Sequence, residues 1–517
     1  MSGAISEEAV HSRPDDYTLS LLPKSDLGNA RRMIARFGDA LRYVPRQGWR
    51  AWNGRYWDCD DEGEAGARIA AHATADMIRD EVDAIIKKGA HEGEKPEDFD
   101  KRIAVHRKWG ADSGNAGRSR AMLEQASSLM RRERDLWDED PLLINCQNVT
   151  IKFKENSGVH EAVAFPHNKD DYCTRITRVD YNADAKAPLF TEMLARSMPN
   201  DQKRLFLQRY FGYSITGMVE EQKLLFMQGK GADGKSTTIN AVAHALGGYS
   251  MSASIKSFLQ NDFRSGGDAS PDIARLAGPA RFVPVSEPKK GDRLDDAAIK
   301  TMTGGDKMTA RKLRQDLIEF FPVFKMCVPC NVLPVITSSD YGTWRRMLLL
   351  EWTESMPESE QDIHLGRKLR DEGEGVLAWL VQGTCDYLHE RLSVPDSVKV
   401  AVEGWRGSAD PAGMWLSERF ETGLSMGPLT MSEMYRDYCG WCEANSLKPQ
   451  SSIWLGRMLD SNQIHKDRTG GITTRKDIQF KAHIVPYGMK GADEPPEQEE
   501  GDAPPVPPVA AYEDDKS

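Results

Sequence analysis

The chain has 517 residues, 39% of them hydrophobic and 28% charged, with eight cysteines and a net charge of −11. That length exceeds one ordinary core and predicts three or four domains. The composition is that of a folded, water-soluble protein and excludes a fibrous or low-complexity one. No apolar run reaches membrane-spanning length, and the amino terminus is acidic and polar, unlike a secretory signal. Cysteines this sparse make no disulfide framework, so a reducing cytoplasm is expected.

Charge is distributed unevenly. Nine acidic residues and one lysine lie between Asp493 and Ser517, which gives that tail −8 and leaves −3 on everything before it. A body so near neutrality can carry local basic surfaces, so the total does not exclude a nucleic-acid partner.

In chain order, residues 1–25 read as a loose leader, and Asp26–Val44 has apolar residues at helical spacing. Gly48–Trp57 (GWRAWNGRYW) reads as a small β-hairpin whose aromatic residues form a local core rather than a base-stacking platform. Asp58, Asp60 and Asp61 suggest the paired carboxylates of a primase metal site. They run into Glu-Gly-Glu-Ala-Gly, a solvated loop, and the primase reading is rejected. Residues 67–138 read as helices with a break near His91–Glu97. The five arginines from Arg118 to Arg134 are taken as a solvated face, a DNA-facing or subunit-facing helix being the alternative. Short strands are expected over 141–179 and a helix over Asp201–Tyr213.

Leu224–Gln228 is a short apolar run with the pattern of a buried parallel strand. Gly229-Lys-Gly-Ala-Asp-Gly-Lys235-Ser236 then fills every fixed position of the phosphate-binding pattern G-x-x-x-x-G-K-[ST]. Ser236–Leu246 turns helical, and Gly247-Gly248 stops it. Glycines let backbone N–H groups wrap around phosphate oxygens, and a helix N-terminus adds a favourable dipole. Gly229, Gly231, Ala232, Asp233, Gly234, Lys235, Ser236 and Thr237 are therefore expected to bind ATP. Lys235 would reach the β- and γ-phosphates and the Ser236 hydroxyl would ligand Mg²⁺.

Such a site needs further groups. Arg281–Glu287 is a short apolar strand ending in a carboxylate, and Glu287 would orient Mg²⁺ and polarise the attacking water. Phe320–Asn331 is a second apolar run ending in a polar side chain suited to the γ-phosphate or its water. Arg345 and Arg346 precede the strand Met347–Trp352, where an arginine can reach a neighbouring subunit's nucleotide, surface ion pairing being the alternative.

Gly229–Ser236, Glu287, Lys300–Asp306 with Thr309-Ala-Arg311, Asn331 and Trp344-Arg345-Arg346, in this order, resemble the superfamily 3 helicases. The likeness is to the phage and plasmid primase-helicase branch, shared with the poxvirus primase-helicase. Asp26–Ala30, Gly48–Trp57 and Asp138–Asn148 resemble that branch's helicase-associated N-terminal domain. Gly375–Gly383 and Trp405–Asp410 resemble its C-terminal helical segment, so the resemblance covers about residues 26–485. It implies an α/β chain with a mixed α+β domain over 26–200, an AAA+-like P-loop ATPase core over 201–355 and a helical segment over 356–410.

The resemblance further implies a homo-hexameric ring that moves 3′ to 5′ on single-stranded DNA. Lys235 and Glu287 would be catalytic, Asn331 a sensor, and Arg345 or Arg346 the finger acting across subunits, with Arg345 preferred. A hairpin over Met308–Glu319, with Arg311, Lys312 and Arg314 near its tip, would line the channel, where positive charge tracks phosphates without reading sequence. Two departures stand out. Many relatives have two adjacent acids where this chain has Ser286-Glu287, which leaves the metal resting more on Ser236. The chain also lacks room for the primase domain of larger relatives, so a separate primase or polymerase is the expected partner, if priming occurs at all.

Residues 411–487 read as three helices followed by a basic hairpin turning at Gly470-Gly471, the order of a winged helix. Lys466, Arg468, Arg475 and Lys476 would place positive charge on the wing, a packing or partner role being the alternative. Cys327/Cys330 and Cys439/Cys442 have zinc-like spacing but fall on a predicted strand and helix, so they read as core thiols. Residues 488–517 are acidic and proline-rich with too little apolar surface to fold, and serve either to dock a partner or only to solubilise. The combined expectation is a replicative DNA helicase of a phage or plasmid-like element, acting on forked DNA in a bacterial cytoplasm. The rivals are a ring ATPase that remodels or packages DNA without separating strands, and a replication initiator.

Overall fold

In a computed structural model the chain divides into two compact units, residues 1–406 and 407–517, and both mix helix with sheet. The structure describes residues 14–58, 65–132, 137–260, 271–278, 280–311, 317–336, 340–409, 411–423, 428–445, 447–469 and 472–488.

The first unit opens on two capped helices. Asp15 caps α1 (Asp16–Ser20) through the Thr18 N–H, and the Ser25 hydroxyl caps α2 (Asp26–Phe37) through that of Gly28. The fully buried Arg32 donates to the carbonyls of Leu22 and Pro23, so residues 15–25 are folded where a loose leader was expected. Residues 1–13 lie outside the described residues. The helix also ends sooner than its spacing suggested. Leu41–Val44 is a strand, β1, that pairs antiparallel with β2 (Gly48–Trp52), which pairs in turn with β3 (Trp57–Asp58). Leu41 and Val44 are both buried, so an i, i+3 pattern that also suits a helix is used here by a strand end.

The aromatic residues of this hairpin form a core, as expected. Trp57 is fully buried, 5.5 Å and edge-on to Trp137 and stacked 6.3 Å from Tyr172. Three helices follow, α3 (Ala65–Lys88), α4 (Pro96–Ser113) and α5 (Ala116–Leu129). The first two are tied to α2 by a buried charge cluster. Glu81 on α3 meets Arg32 at 3.2 Å, Arg36 at 2.9 Å and His106 on α4 at 2.9 Å. Arg118, from the arginine-rich stretch, stacks on Trp109 and bonds Asp26 at 3.1 Å. An antiparallel sheet of β4 (Leu143–Asn145), β5 (Thr150–Asn156) and β6 (Val159–Phe165) completes this part.

After α6 (Pro188–Ser197) and α7 (Asp201–Ile215) comes the sheet that positions the site. The chain runs through β7 (Leu224–Gly229), α8 (Lys235–Leu246), α9 (Pro271–Arg275), β8 (Phe282–Pro284) and α10 (Asp296–Gly304). It continues through β9 (Met308–Arg311), β10 (Leu317–Phe320), β11 (Lys325–Cys330), α11 (Tyr341–Trp344) and β12 (Met347–Trp352). Four of these strands make a parallel sheet in the order β12-β7-β11-β8. Leu224, Leu225, Phe226 and Met227 are all at most 2% exposed, the unbroken apolar run of a strand covered on both faces. α12 (Leu365–Asp371), α13 (Gly373–Glu390) and α14 (Asp396–Ala409) follow. α13 packs on α7 backbone to backbone. A Cβ on Gly212 would lie 2.1 Å from the Gly383 carbonyl carbon, so only glycine fits the crossing.

The second unit contains α15 (Pro411–Arg419), β13 (Phe420–Thr422), β14 (Leu429–Thr430), α16 (Met431–Ala444), α17 (Ser452–Ser461), β15 (Lys466–Thr469), β16 (Ile472–Arg475) and β17 (Ile478–Phe480). A capping box between Thr430 and Glu433 starts α16. Asp437, 1% exposed, fastens the unit by accepting from Arg419 Nε and Nη2, Trp415 Nε1 and the Tyr487 N–H at 2.6–2.8 Å. β14, β16 and β15 form one antiparallel sheet, and β13 pairs with β17.

Candidate functional site

The polarity of the parallel sheet decides which of the selected residues meet. β7 ends at Gly229 and α8 starts at Lys235, with Gly234 as its N-cap. Between them Gly231, Ala232 and Gly234 take φ values of 99°, 52° and 84°. These left-handed residues fold the loop back so that its N–H groups converge, an anion-binding concavity. The group they converge on belongs to the chain itself. Asp233, 4% exposed, accepts from the Gly231 N–H at 3.2 Å and the Lys235 N–H at 3.3 Å, and pairs with the buried Lys235 ammonium. A Cβ on Gly229 would sit 2.0 Å from Asp233 Oδ2 and 2.7 Å from Lys235 Nζ, so a larger residue there would displace this pair. Ser236 is exposed and Thr237 half-buried on the first turn of α8.

A segment that no sequence motif marked braces the loop from behind. The Met356 N–H donates to the Ala232 carbonyl at 2.8 Å and the Ser355 hydroxyl to that of Gly231 at 3.0 Å.

Glu287 and Asn331 come from the ends of neighbouring strands and touch. Glu287 Oε1 accepts the Asn331 N–H at 2.6 Å. Lys235 follows the same edge, since β7 and β11 run parallel with Gln228 paired to Cys330, so the loop after Gly229 and Asn331 leave the sheet side by side. Burial pushes the Cys330 thiol up to about 12, with Lys235 lowering it and Glu287 raising it. Ser286, in the place of a second acid, accepts the Ile255 N–H at 3.0 Å and so serves the fold. Two oxygen donors, Ser236 and Glu287, suit Mg²⁺, which usually takes one or two protein ligands and completes its shell with phosphate oxygens and water. Among the described residues no group of three His, Cys, Asp or Glu is placed to hold a metal alone.

The two arginines part company. Arg346 is buried, with Nε donating to Thr303 Oγ1 at 3.0 Å and the guanidinium also bonded to the Gly342 carbonyl and Gln222. Arg345 is exposed and donates to Gln222 Oε1 at 2.5 Å. Both sit at the amino end of the sheet, where the Leu224 N–H donates to the Arg346 carbonyl at 2.8 Å. Five residues of strand separate Leu224 from Gly229, about 17 Å. Arg345 is thus at the edge opposite its own loop.

β9 and β10 pair in the expected hairpin, from Met308↔Phe320 to Arg311↔Leu317. Arg311 lies on it, while Lys312 and Arg314 lie outside the described residues. In the second unit β15 and β16 form the basic hairpin, and Lys466, Arg468 and Lys476 are exposed. Arg475 corrects the expectation of a surface wing charge. It is 2% exposed and bonds the Asp460 carboxylate and the carbonyls of Ile464 and Gly456, so it pins the hairpin to α17. The reason is pleat parity: successive side chains on a strand alternate faces, and Arg475 falls on the inner one. Of the four cysteines read as core thiols, Cys327, Cys330 and Cys442 are buried and Cys439 only partly so.

The D5 N terminal like family matches residues 30–199. "Putative helicase L207/L206" of Acanthamoeba polyphaga mimivirus is 25% identical over 60% of this chain and 34% of its own length. "Putative helicase 022R" of Frog virus 3 is 28% identical over 51% and 29%. "Putative primase C962R" of African swine fever virus (isolate Warthog/Namibia/Wart80/1980) is 22% identical over 67% and 38%. The chain therefore spans about a third of the length of the curated relatives it matches. The apo structure of the NrS-1 C terminal region covers 65% of this chain and 98% of its own at 12% identity, with a TM-score of 0.37, too low to bear on the fold.

These matches relate the chain to the superfamily 3 primase-helicase-like proteins. The D5 N terminal like match covers about a third of the chain, residues 30–199. Among the described residues no helix is long and apolar enough to cross a membrane.

Proposed function

We propose that the chain is an ATP-dependent DNA helicase of replication, its first unit an AAA+-like P-loop ATPase working in a ring of identical subunits. One observation supports this above the others. Lys235, Glu287 and Asn331 gather at the carboxyl edge of a parallel sheet, the usual ligand crevice of such sheets, while Arg345 stands exposed at the far edge. The loop fits a nucleotide, because its donors and its lysine already hold an anion, the Asp233 carboxylate. Bound MgATP supplies the phosphoanhydride bond that is broken.

The chain's own groups have distinct duties. Lys235 and the loop N–H groups hold phosphate oxygens, Glu287 orients the attacking water and takes its proton, and Asn331 steadies that water. Arg345, too far from its own loop, serves the next subunit's. The β9–β10 hairpin, through Arg311, Lys312 and Arg314, grips single-stranded DNA. The second unit acts as a winged helix with Lys466, Arg468 and Lys476 toward phosphates. A hexamer, 3′ to 5′ movement and a phage or plasmid-like replicon in a bacterial cytoplasm enter through the family resemblance, the named relatives belonging to large DNA viruses.

Unwinding of 3′- and 5′-tailed forks by the wild type and Lys235→Ala tests the proposal. The expected outcome is strand separation by the wild type and none by the variant. DNA-stimulated hydrolysis without separation of either fork overturns the helicase reading and leaves a remodelling ATPase.

A further inference from the structure

The candidate nucleotide loop carries its own competitor for phosphate. Carboxylates are rarely buried unless paired, and Asp233 is 4% exposed in a loop whose Lys230, three residues earlier, is exposed. Its burial comes from the left-handed backbone at Ala232, φ 52°, which turns the side chain inward. There it takes three donors at once: the Gly231 N–H, the Lys235 N–H and the Lys235 ammonium. These are the donors a nucleotide's β-phosphate needs. Carboxylate and phosphate cannot occupy them together.

We infer that Asp233 is an internal anion that sets the specificity of the loop, competing with the β-phosphate of a nucleotide for Lys235 and the loop N–H groups. The inference rests on the nucleotide-site reading above. Competition of this kind charges every ligand that uses those donors the same factor and charges nothing to one that does not reach them. A single carboxylate is outmatched by a di- or triphosphate, which brings more charge and more oxygens. Against weakly held anions such as inorganic phosphate it keeps Lys235 occupied, and Lys235 needs a partner, since a buried ammonium without one is costly. Binding therefore requires Asp233 to swing out, and the residue shifts from ligand mimic to bystander as it does.

Asp233→Asn keeps the size of the side chain and removes its charge. Calorimetric titration of the full-length wild type and variant with ATP, ADP and AMP in Mg²⁺ reads the effect. The expected result is tighter binding of ATP and ADP by one shared factor, about five- to thirty-fold for one to two kcal/mol, with AMP unchanged. Asp233→Ala should move the same way, which keeps the test decisive if the Asn variant folds poorly. Unchanged or weaker ATP and ADP binding in both variants, with normal binding by the wild type, overturns the inference and leaves the site standing. If the wild type binds none of the three nucleotides, the nucleotide-site reading falls and the inference with it.

Discussion

Arg345 and Arg346 are adjacent, identical in type and opposite in circumstance. Arg346 satisfies its guanidinium inside the fold, on Thr303, Gly342 and Gln222, whereas Arg345 presents its charge outward. Arg345→Ala should leave nucleotide affinity and the urea midpoint near wild type but abolish steady-state ATP turnover. Arg346→Ala should cost about 1–3 kcal/mol in urea unfolding, because buried carbonyl and hydroxyl acceptors lose their donor. Equal loss of stability in both variants would count against this division. The sequence named the pair and could not choose, since neighbours in a chain share every pattern except the direction in which each side chain leaves it. Arg475 teaches the same lesson. Its basic character was legible, its inward face was not.

Elements were more legible than individual contacts. The apolar run of β7, the glycine loop and the first turns of α8 lie where spacing predicted them, the β9–β10 hairpin lies where the resemblance implied it, and the three helices of the second unit come in the expected order. Each has a strong local signal. What escaped were features made by distant partners: the folded segment 15–25, the strand β1, and Ser355-Met356 behind the loop. The Glu81 cluster belongs with them, because nothing local marks a glutamate that will be fully buried among Arg32, Arg36 and His106.

Burial alone would raise the Glu81 carboxyl, but the His106 hydrogen bond and the two arginines outweigh it and hold the group below its ordinary value of 4.5. A carboxylate depressed in the folded state contributes stability that is complete above the unfolded value and lost as the pH falls through the folded one. Glu81→Gln should therefore lower stability by about 3–5 kcal/mol at neutral pH, the cost of breaking a buried pair. The gap to wild type should narrow steadily below pH 4.5. Urea unfolding at stepped pH measures both, and a gap that does not change with pH refutes the linkage.

At the scale of the whole molecule the division into two units, residues 1–406 and 407–517, separates the sheet and its loop from the second set of basic residues. Length predicted three or four domains. The amino-terminal helices, the parallel sheet and residues 356–406 fall in one compact unit, a grouping that sequence alone does not reveal because contacts between distant segments leave no trace in local composition. On the proposed function, a chain lacking Lys235 still offers its Arg345 to a neighbour, and a chain lacking Arg345 still offers its loop. Mixing Lys235→Ala with Arg345→Ala subunits should restore part of the ATPase activity that each lacks alone, measured as phosphate release across mixing ratios. No recovery at any ratio argues against action between subunits.

A parallel sheet has a head and a tail, and on the proposed function each bears half of one chemical apparatus. Two copies facing each other symmetrically would bring like halves together and leave both unfinished. Copies must follow one another in the same sense, an arrangement with no natural end unless it bends round to its beginning. Specific activity would then rise with the protein's own concentration and fade on dilution. On that proposal the direction of a six-residue strand, Leu224–Gly229, would become the direction in which the whole assembly is read.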